Sequence, residues 1–352
     1  MKKTWIWALF CLTACESKDS PDNSHLPYEN GFIVLNEGNF MDNNGTITFI
    51  SGNDAKYDIF QKENQRSLNG SVTGYTEAGN KGIILVDNST GGQDLIEFVD
   101  AKTFKSTGTI AAGQIENPRK ALKITEDKVY ISAWDATGSW PNTYINPGYV
   151  AVVDVNSGRI TKKIPVQKGA ESMVKIGNEV FVGNVYSDDS QITIINAVTD
   201  EVISTLNTAP NPELIGVDAN GKLWYFDGDL RRLNPTSKEI ESTIQVETGA
   251  ATPSKFNLSS DKTTLIYSLS YYDEQYIERG NVYQMSIHDT KFNQERALIS
   301  RVFYGLDVNE GTIFGTIVPS FKQAGYVLRY KENGTLIDSI KVEVGPSKFY
   351  FK

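Results

Sequence analysis

Segments of alternating apolar and polar residues recur along this chain, each closed by a turn rich in Asn, Asp, Gly or Thr. The clearest pair is VAVVDVNSG from Val150 and YVLRYKENG from Tyr326. The pattern returns as ITFISGND from Ile47, IEFVDAKT from Ile96, ITIINAVT from Ile192, LRRLNPTS from Leu230 and VYQMSIHD from Val282. Period-two alternation marks a strand with one buried face. Seven copies, roughly 46 residues apart, fit the repeat length of four-stranded propeller blades.

A more apolar run precedes each copy: FIVLNE, IILVDN, VYISAW, VFVGNV, LWYFDG, LIYSLS and TIFGTI, starting at Phe32, Ile83, Val129, Val180, Leu223, Leu265 and Thr312. Continuous apolarity predicts a strand covered on both faces, as between two neighbouring blades. After each copy comes a polar strand such as ITKKIPV at Ile160 or LIDSIKV at Leu336, suited to an outer edge where charge discourages further pairing. A fourth element opens each unit: NPRKALKI at Asn117, NPELIGVD at Asn211, TPSKFNLS at Thr252 and GPSKFYFK at Gly345, with weaker versions at Gly70, Ala170 and Val302.

The chain enters at Phe32 without this inner element and supplies it at its last residues, Lys348 to Phe351. That order predicts an all-β, seven-bladed β-propeller of four-stranded antiparallel blades, closed into a ring by the C-terminal strand. An elongated solenoid or two sandwiches would not account for the displaced strand. Six or eight blades would require a unit to be split or merged around Ser268 to Arg279.

The first fourteen residues read as an export signal, with Lys2 and Lys3 before an apolar run too short to span a bilayer. Leu12-Thr13-Ala14-Cys15 resembles the lipobox of bacterial lipoproteins, which makes Cys15 the lipidated residue. Residues 15–30 then form a polar tether, and residues 31–352 the propeller. Lys18-Asp19 resembles the acidic surface-export signal of Bacteroidetes lipoproteins. Cys11 leaves with the signal, so the folded part has no thiol for a disulfide, a metal or a nucleophile. A net charge of -9 without a basic cluster argues against nucleic acid. No second long apolar segment follows, so membrane attachment is through the lipid alone.

In such a blade, the loop between the second and third strands and the loop to the next blade open on one face, where rigidly held loops gather ligands. The longest loop, WDATGSWPNTYINPG, offers Trp134, Trp140 and Tyr144 with the amides Asn142 and Asn146, and SYYDEQYIERG adds Tyr271, Tyr272 and Tyr276. Asn36, Phe40, Tyr186 and Phe321 belong to corresponding loops of other units. Rings and side-chain amides in exposed loops give contact area and orienting hydrogen bonds at low entropic cost. They predict a large, neutral, partly apolar ligand. On this reading Trp134→Ala or Tyr272→Ala weakens binding and leaves the melting temperature nearly unchanged, whereas rings that pack against one another would lower it.

Catalysis finds little support. The two histidines, His25 and His288, cannot assemble a Ser-His-Asp arrangement or a histidine-rich metal site. Asp87, Asp135, Asp188, Asp227 and Asp273 fall in loops of one face, which leaves a carboxylate pair or a calcium site as an alternative to their usual role as turn formers. The chain is expected not to be an enzyme, with no catalytic residue, no resident cofactor and no metal.

FIVLNEGNF followed by NGTITFI, and PGYVAVVDVNSG with its successors, resemble the YncE-like DUF5074 propeller lipoproteins of Bacteroidetes from about Gly31 to Lys352. The likeness extends to cobalamin-binding surface lipoproteins of the BtuG type. This resemblance implies a lipid-anchored, surface-exposed outer-membrane protein that captures cobalamin (vitamin B12) or a related corrinoid for a TonB-dependent, BtuB-like transporter. A corrin ring is broad, amide-rimmed and apolar at its edges, so a face of Trp, Tyr and Asn suits it. With no histidine in the face loops, recognition rests on contact area and hydrogen bonds, without coordination of the cobalt by His. The alternative is a cell-surface protein- or glycan-binding accessory propeller without corrinoid affinity.

Overall fold

The computed structural model describes residues 27–139 and 143–352. The export signal, Cys15, the tether up to residue 26, Trp140 and Asn142 lie outside the described residues. Seven antiparallel sheets follow one another around a ring. Blade 1 pairs Pro346–Phe351, Phe32–Asn36, Thr46–Ser51 and Asp54–Lys56, from the axis outward. The second strands, at Lys81–Asp87, Lys128–Ala133, Glu179–Asn184, Leu223–Phe226, Thr264–Tyr272 and Thr312–Ile317 in blades 2 to 7, coincide with the predicted apolar runs.

These strands are mostly apolar because each serves two cores. Ile83 and Leu85 pack toward blade 3, while the alternate residues Ile84 and Val86 pack toward blade 1. The buried apolar side chains accordingly form seven clusters, one wedge per blade interface, with none on the axis. The axis is left free for polar side chains.

Closure takes the expected form. Phe351 lies opposite Phe32, Tyr350 opposite Ile33, Phe349 opposite Val34 and Lys348 opposite Leu35. Phe32, Phe314, Phe349 and Phe351 meet with ring centroids 4.8 to 6.2 Å apart. A buried ring of this kind stabilises by roughly 1.5–3 kcal/mol. Lys352 adds an ion pair to Glu77 at 2.7 Å and a backbone bond to Gly31 at 3.1 Å.

Four details differ from the sequence expectation. Blade 6 has three strands, and its outermost position is held only by a bridge between Val282 and Ile299, because KFNQERALIS does not alternate. The inner strand of blade 7 begins at Leu306, four residues later than the weak signal at Val302, since Phe303 turns into the core first. A short helix, Ile59–Asn64, joins blades 1 and 2, capped by the Asp58 side chain accepting from the Gln61 amide. Tyr28, expected within the tether, is buried between Phe49 and Phe104 and donates to Glu63 at 2.6 Å.

Candidate functional site

On the face formed by the second-to-third loops, a bowl of about 580 Å³ opens over the axis between blades 1, 2, 3 and 7. Its wall begins with residues 37–41 of blade 1. There Gly38 has φ +73°, and any side chain on it would collide with Asn44. Phe40 and Met41 follow in a single 3-10 turn, held by the Asn39 carboxamide accepting from the Met41 amide at 3.1 Å. Asn43 ties this loop to the neighbouring one through two 2.8 Å bonds with Ser89. Phe40 remains 48% exposed, a ring presented to whatever enters.

The opposite wall is built on Arg119, from the inner strand Pro118–Lys123 of blade 3. Its guanidinium lies 4.0 Å from the Trp134 ring and makes ion pairs with Asp87 at 3.1 Å and Glu171 at 3.2 Å. A planar cation so engaged holds the indole at a fixed angle. Burial disfavours a charge on Glu171, but Arg119, Lys348 and Lys120 hold its carboxyl below the usual range. At Asp87 burial outweighs the attraction of Arg119 and pushes the carboxyl up to about 7. One oxygen of Asp87 and the indole N–H of Trp134 are buried without a hydrogen-bond partner among the described residues.

The third wall pairs Phe321 with Tyr304, ring centroids 5.4 Å apart, and the Tyr304 hydroxyl donates to Glu37 at 2.8 Å. Phe40, Trp134 and Phe321 are therefore the predicted site residues that the fold brings together. Tyr144 does not reach the cavity: it is 7% exposed, stands edge-on behind Trp134 at 5.4 Å and donates to the Val185 carbonyl. Asn36 is also removed from the surface, because it sits inside the blade 1 sheet with its amide on Thr48 at 3.0 Å. Tyr186, Tyr271, Tyr272 and Tyr276 are exposed but line no part of the bowl.

The five loop aspartates separate in the same way. Asp87 borders the bowl, Asp227 pairs with Arg231 at 3.0 Å, Asp135 accepts from Asn146, Asp273 caps a hairpin and Asp188 is exposed. Among the described residues no group of three or more His, Cys, Asp or Glu is placed to hold a metal ion. Arg119, Glu37, Thr73 and Tyr304 were not singled out in the sequence. Arg119 was within reach of an argument that inner-strand residues beside the axis must be polar; Tyr304 hides in the weak start near Val302.

A family profile described as domain of unknown function (DUF5074) matches residues 30–343, nearly the whole ring. The chain belongs to this family. No curated protein matches it. Among solved structures, a quinonprotein alcohol dehydrogenase-like protein from Bacteroides thetaiotaomicron superposes with a TM-score of 0.61 at 15% identity, over 92% of this chain and 78% of that one. Hydrazine synthase from Kuenenia stuttgartiensis gives a TM-score of 0.57 at 13% identity, over 78% of this chain and 88% of that one. At these identities the likeness is one of fold.

Proposed function

We propose that this DUF5074 chain is a capture protein whose bowl binds a large, neutral ligand with apolar edges and amide arms, cobalamin or a related corrinoid. The observation that carries the reading is the bowl itself, an open cavity with Phe40, Trp134, Tyr304 and Phe321 on its walls and the Arg119 ion-pair cluster in its side. Its volume of about 580 Å³ suits a ligand portion of drug size. A corrinoid is larger, so one amide-bearing edge enters while the rest of the ring spans the rim. Lipidation at Cys15 would hold the protein on the outer membrane, exposed at the cell surface, and a TonB-dependent transporter of the BtuB type would take the ligand onward. These last two points rest on the lipobox and on the resemblance.

Calorimetry with cyanocobalamin is the direct test. Binding that is lost in Trp134→Ala supports the reading, and neither heat nor a spectral change at micromolar protein removes it. A glycan is the second reading, favoured by a half-buried indole flanked by Asp87, Glu37 and Arg119, which together offer a ring face and charged hydrogen-bonding groups. Retention on a glycan array without corrinoid binding would select it.

A further inference from the structure

Three inner strands share one sequence step: Asn117-Pro118-Arg119-Lys120, Thr252-Pro253-Ser254-Lys255 and Gly345-Pro346-Ser347-Lys348. The lysines come from blades 3, 6 and 1, and each follows two residues after the proline. All three line a second cavity of about 400 Å³ on the axis below the bowl, which shares Thr73, Arg119 and Tyr304 with it as common wall. The bowl therefore has a floor that continues inward, and that floor is charged.

The charges there are poorly matched. Arg119 is occupied by Asp87 and Glu171. Among the described residues, none of the three lysines forms an ion pair. Lys348 donates to the Thr73 carbonyl at 2.6 Å, and Lys255 reaches only the Ser254 hydroxyl at 3.5 Å. Two carboxylates, Glu213 and Asp307, face the same cavity without a direct cationic partner. Four cations, Arg119 and the three lysines, thus line the cavity against two carboxylates, while Glu171 behind them is shared among Arg119, Lys348 and Lys120; in so confined a space a charge interacts more strongly than in water. Burial lowers Lys255 and brings Lys348 down to about 8, and it raises Glu213 and Asp307, so both signs are strained toward neutrality.

We infer that the channel beneath the bowl receives a singly charged phosphodiester arm of the captured ligand, held by Lys120, Lys255 and Lys348. The inference rests on the reading of the bowl as a ligand site and narrows it to ligands that carry such an arm. Cobalamin has one in its nucleotide loop; cobinamide, with the same corrin ring, does not.

The test compares cyanocobalamin with cyanocobinamide by calorimetry, on the wild-type chain and on the double variant Lys120→Gln/Lys255→Gln. The variant spares Lys348, which lies in the closing strand. Cyanocobalamin should lose about tenfold or more in affinity in the variant, with a weaker salt dependence, while cyanocobinamide is unaffected. Glu213→Gln, which removes a competing carboxylate, should tighten cyanocobalamin alone. Equal affinity of the wild type for both corrinoids, or equal losses for both in the variant, overturns the inference and leaves the bowl reading standing. If neither corrinoid binds, the bowl reading falls and inorganic phosphate becomes the probe. A wild-type melting temperature raised by roughly 2 °C, with no rise in the variant, then keeps the anion site, and no rise in either overturns it.

Discussion

Two aromatic regions of the same face, equally prominent in the sequence, have opposite fates. In blade 6 the strands Thr264–Tyr272 and Glu278–Ser286 keep pairing beyond the body of the blade, with Tyr271 opposite Arg279 and Tyr272 opposite Glu278. The ladder leaves no slack for the rings to fold inward, and Tyr272 and Tyr276 stand 70% and 88% exposed. In blade 3 the strand stops at Ala133, and the loop turns back on itself through the Gly138 to Thr143 backbone bond. Trp134 is thereby laid against Arg119 and Tyr144. An aromatic residue becomes a site wall only where the loop is freed from its ladder and a neighbouring blade supplies the second side.

The acids of the two regions repeat the contrast. Asp87 is buried and pushed up to about 7, while Asp273, partly exposed, is held below its usual range by the Ile277 amide and by Arg279. Both are paired with arginine, but Asp87 is the more deeply buried and lacks the backbone amides that donate to Asp273. The largest break in this comparison is Arg119→Met, which leaves the buried Asp87 and Glu171 carboxyls without their shared cation. Urea unfolding should show a loss of about 3–5 kcal/mol. Arg279→Met, an exposed pair, should change stability by less than about 0.5 kcal/mol. Similar losses at the two positions would mean that the buried cluster is not what organises the bowl.

Trp134→Ala comes next. The sequence alone predicts a nearly silent effect on melting, but the ring supports both Tyr144 and Arg119, so the structure revises this to a loss of about 2 kcal/mol. Ligand binding should disappear in the same variant. Trp134→Phe, which keeps a ring beneath the guanidinium, should recover most of the stability, and calorimetry on both variants separates the packing role from the contact role.

The ring was legible from the chain because its signals are redundant. Each second strand serves two cores and so is mostly apolar, and GPSKFYFK at the end repeats NPRKALKI and TPSKFNLS so closely that the closing strand announces itself. The helix Ile59–Asn64 was not legible, because only Ile59 and Phe60 are buried and two adjacent apolar residues carry no period. The bowl was half legible. Phe40, Trp134 and Phe321 stand out as exposed-loop rings, but Trp134 is set in place by Arg119 and Phe321 by Tyr304, and Arg119 looks like any other charge in a β-strand until the axis is located. Asn36 and Tyr144 illustrate the reverse error: Asn36, at the end of its strand, belongs to the sheet, and Tyr144, in the middle of its loop, packs behind Trp134 instead of facing the cavity.

Acidity sharpens the comparison at smaller amplitude. Asp87 has a folded value of about 7 against 3.8 for the free group, so between those values the folded chain holds a proton that the unfolded chain releases. Its contribution to stability therefore grows as pH falls from about 7 toward 4, and is a net cost above 7. Asp273 has the opposite sign: its contribution is present above about 4 and disappears below, as the acid form displaces the turn bonds. Urea titrations from pH 4 to 8 should show that Asp87→Asn flattens the profile in the window 4 to 7. Extended down to pH 2, the same titrations should show that Asp273→Asn lowers stability by a constant small amount above 4 and flattens the limb below 4.

The smallest expected effect tests the comparison at its other end. Tyr272→Ala and Tyr276→Ala remove two of the most exposed rings of the molecule, neither of which lines the bowl or stands in any ring pair among the described residues. Both variants should keep the wild-type affinity for the bowl's ligand and stay within about 0.5 kcal/mol in stability. Had the rim acted as one continuous aromatic surface, either change would weaken binding as Trp134→Ala does. A ladder that runs straight into solvent brings its rings toward nothing, so the hairpin is expected to be silent in a measurement where blade 3 is decisive.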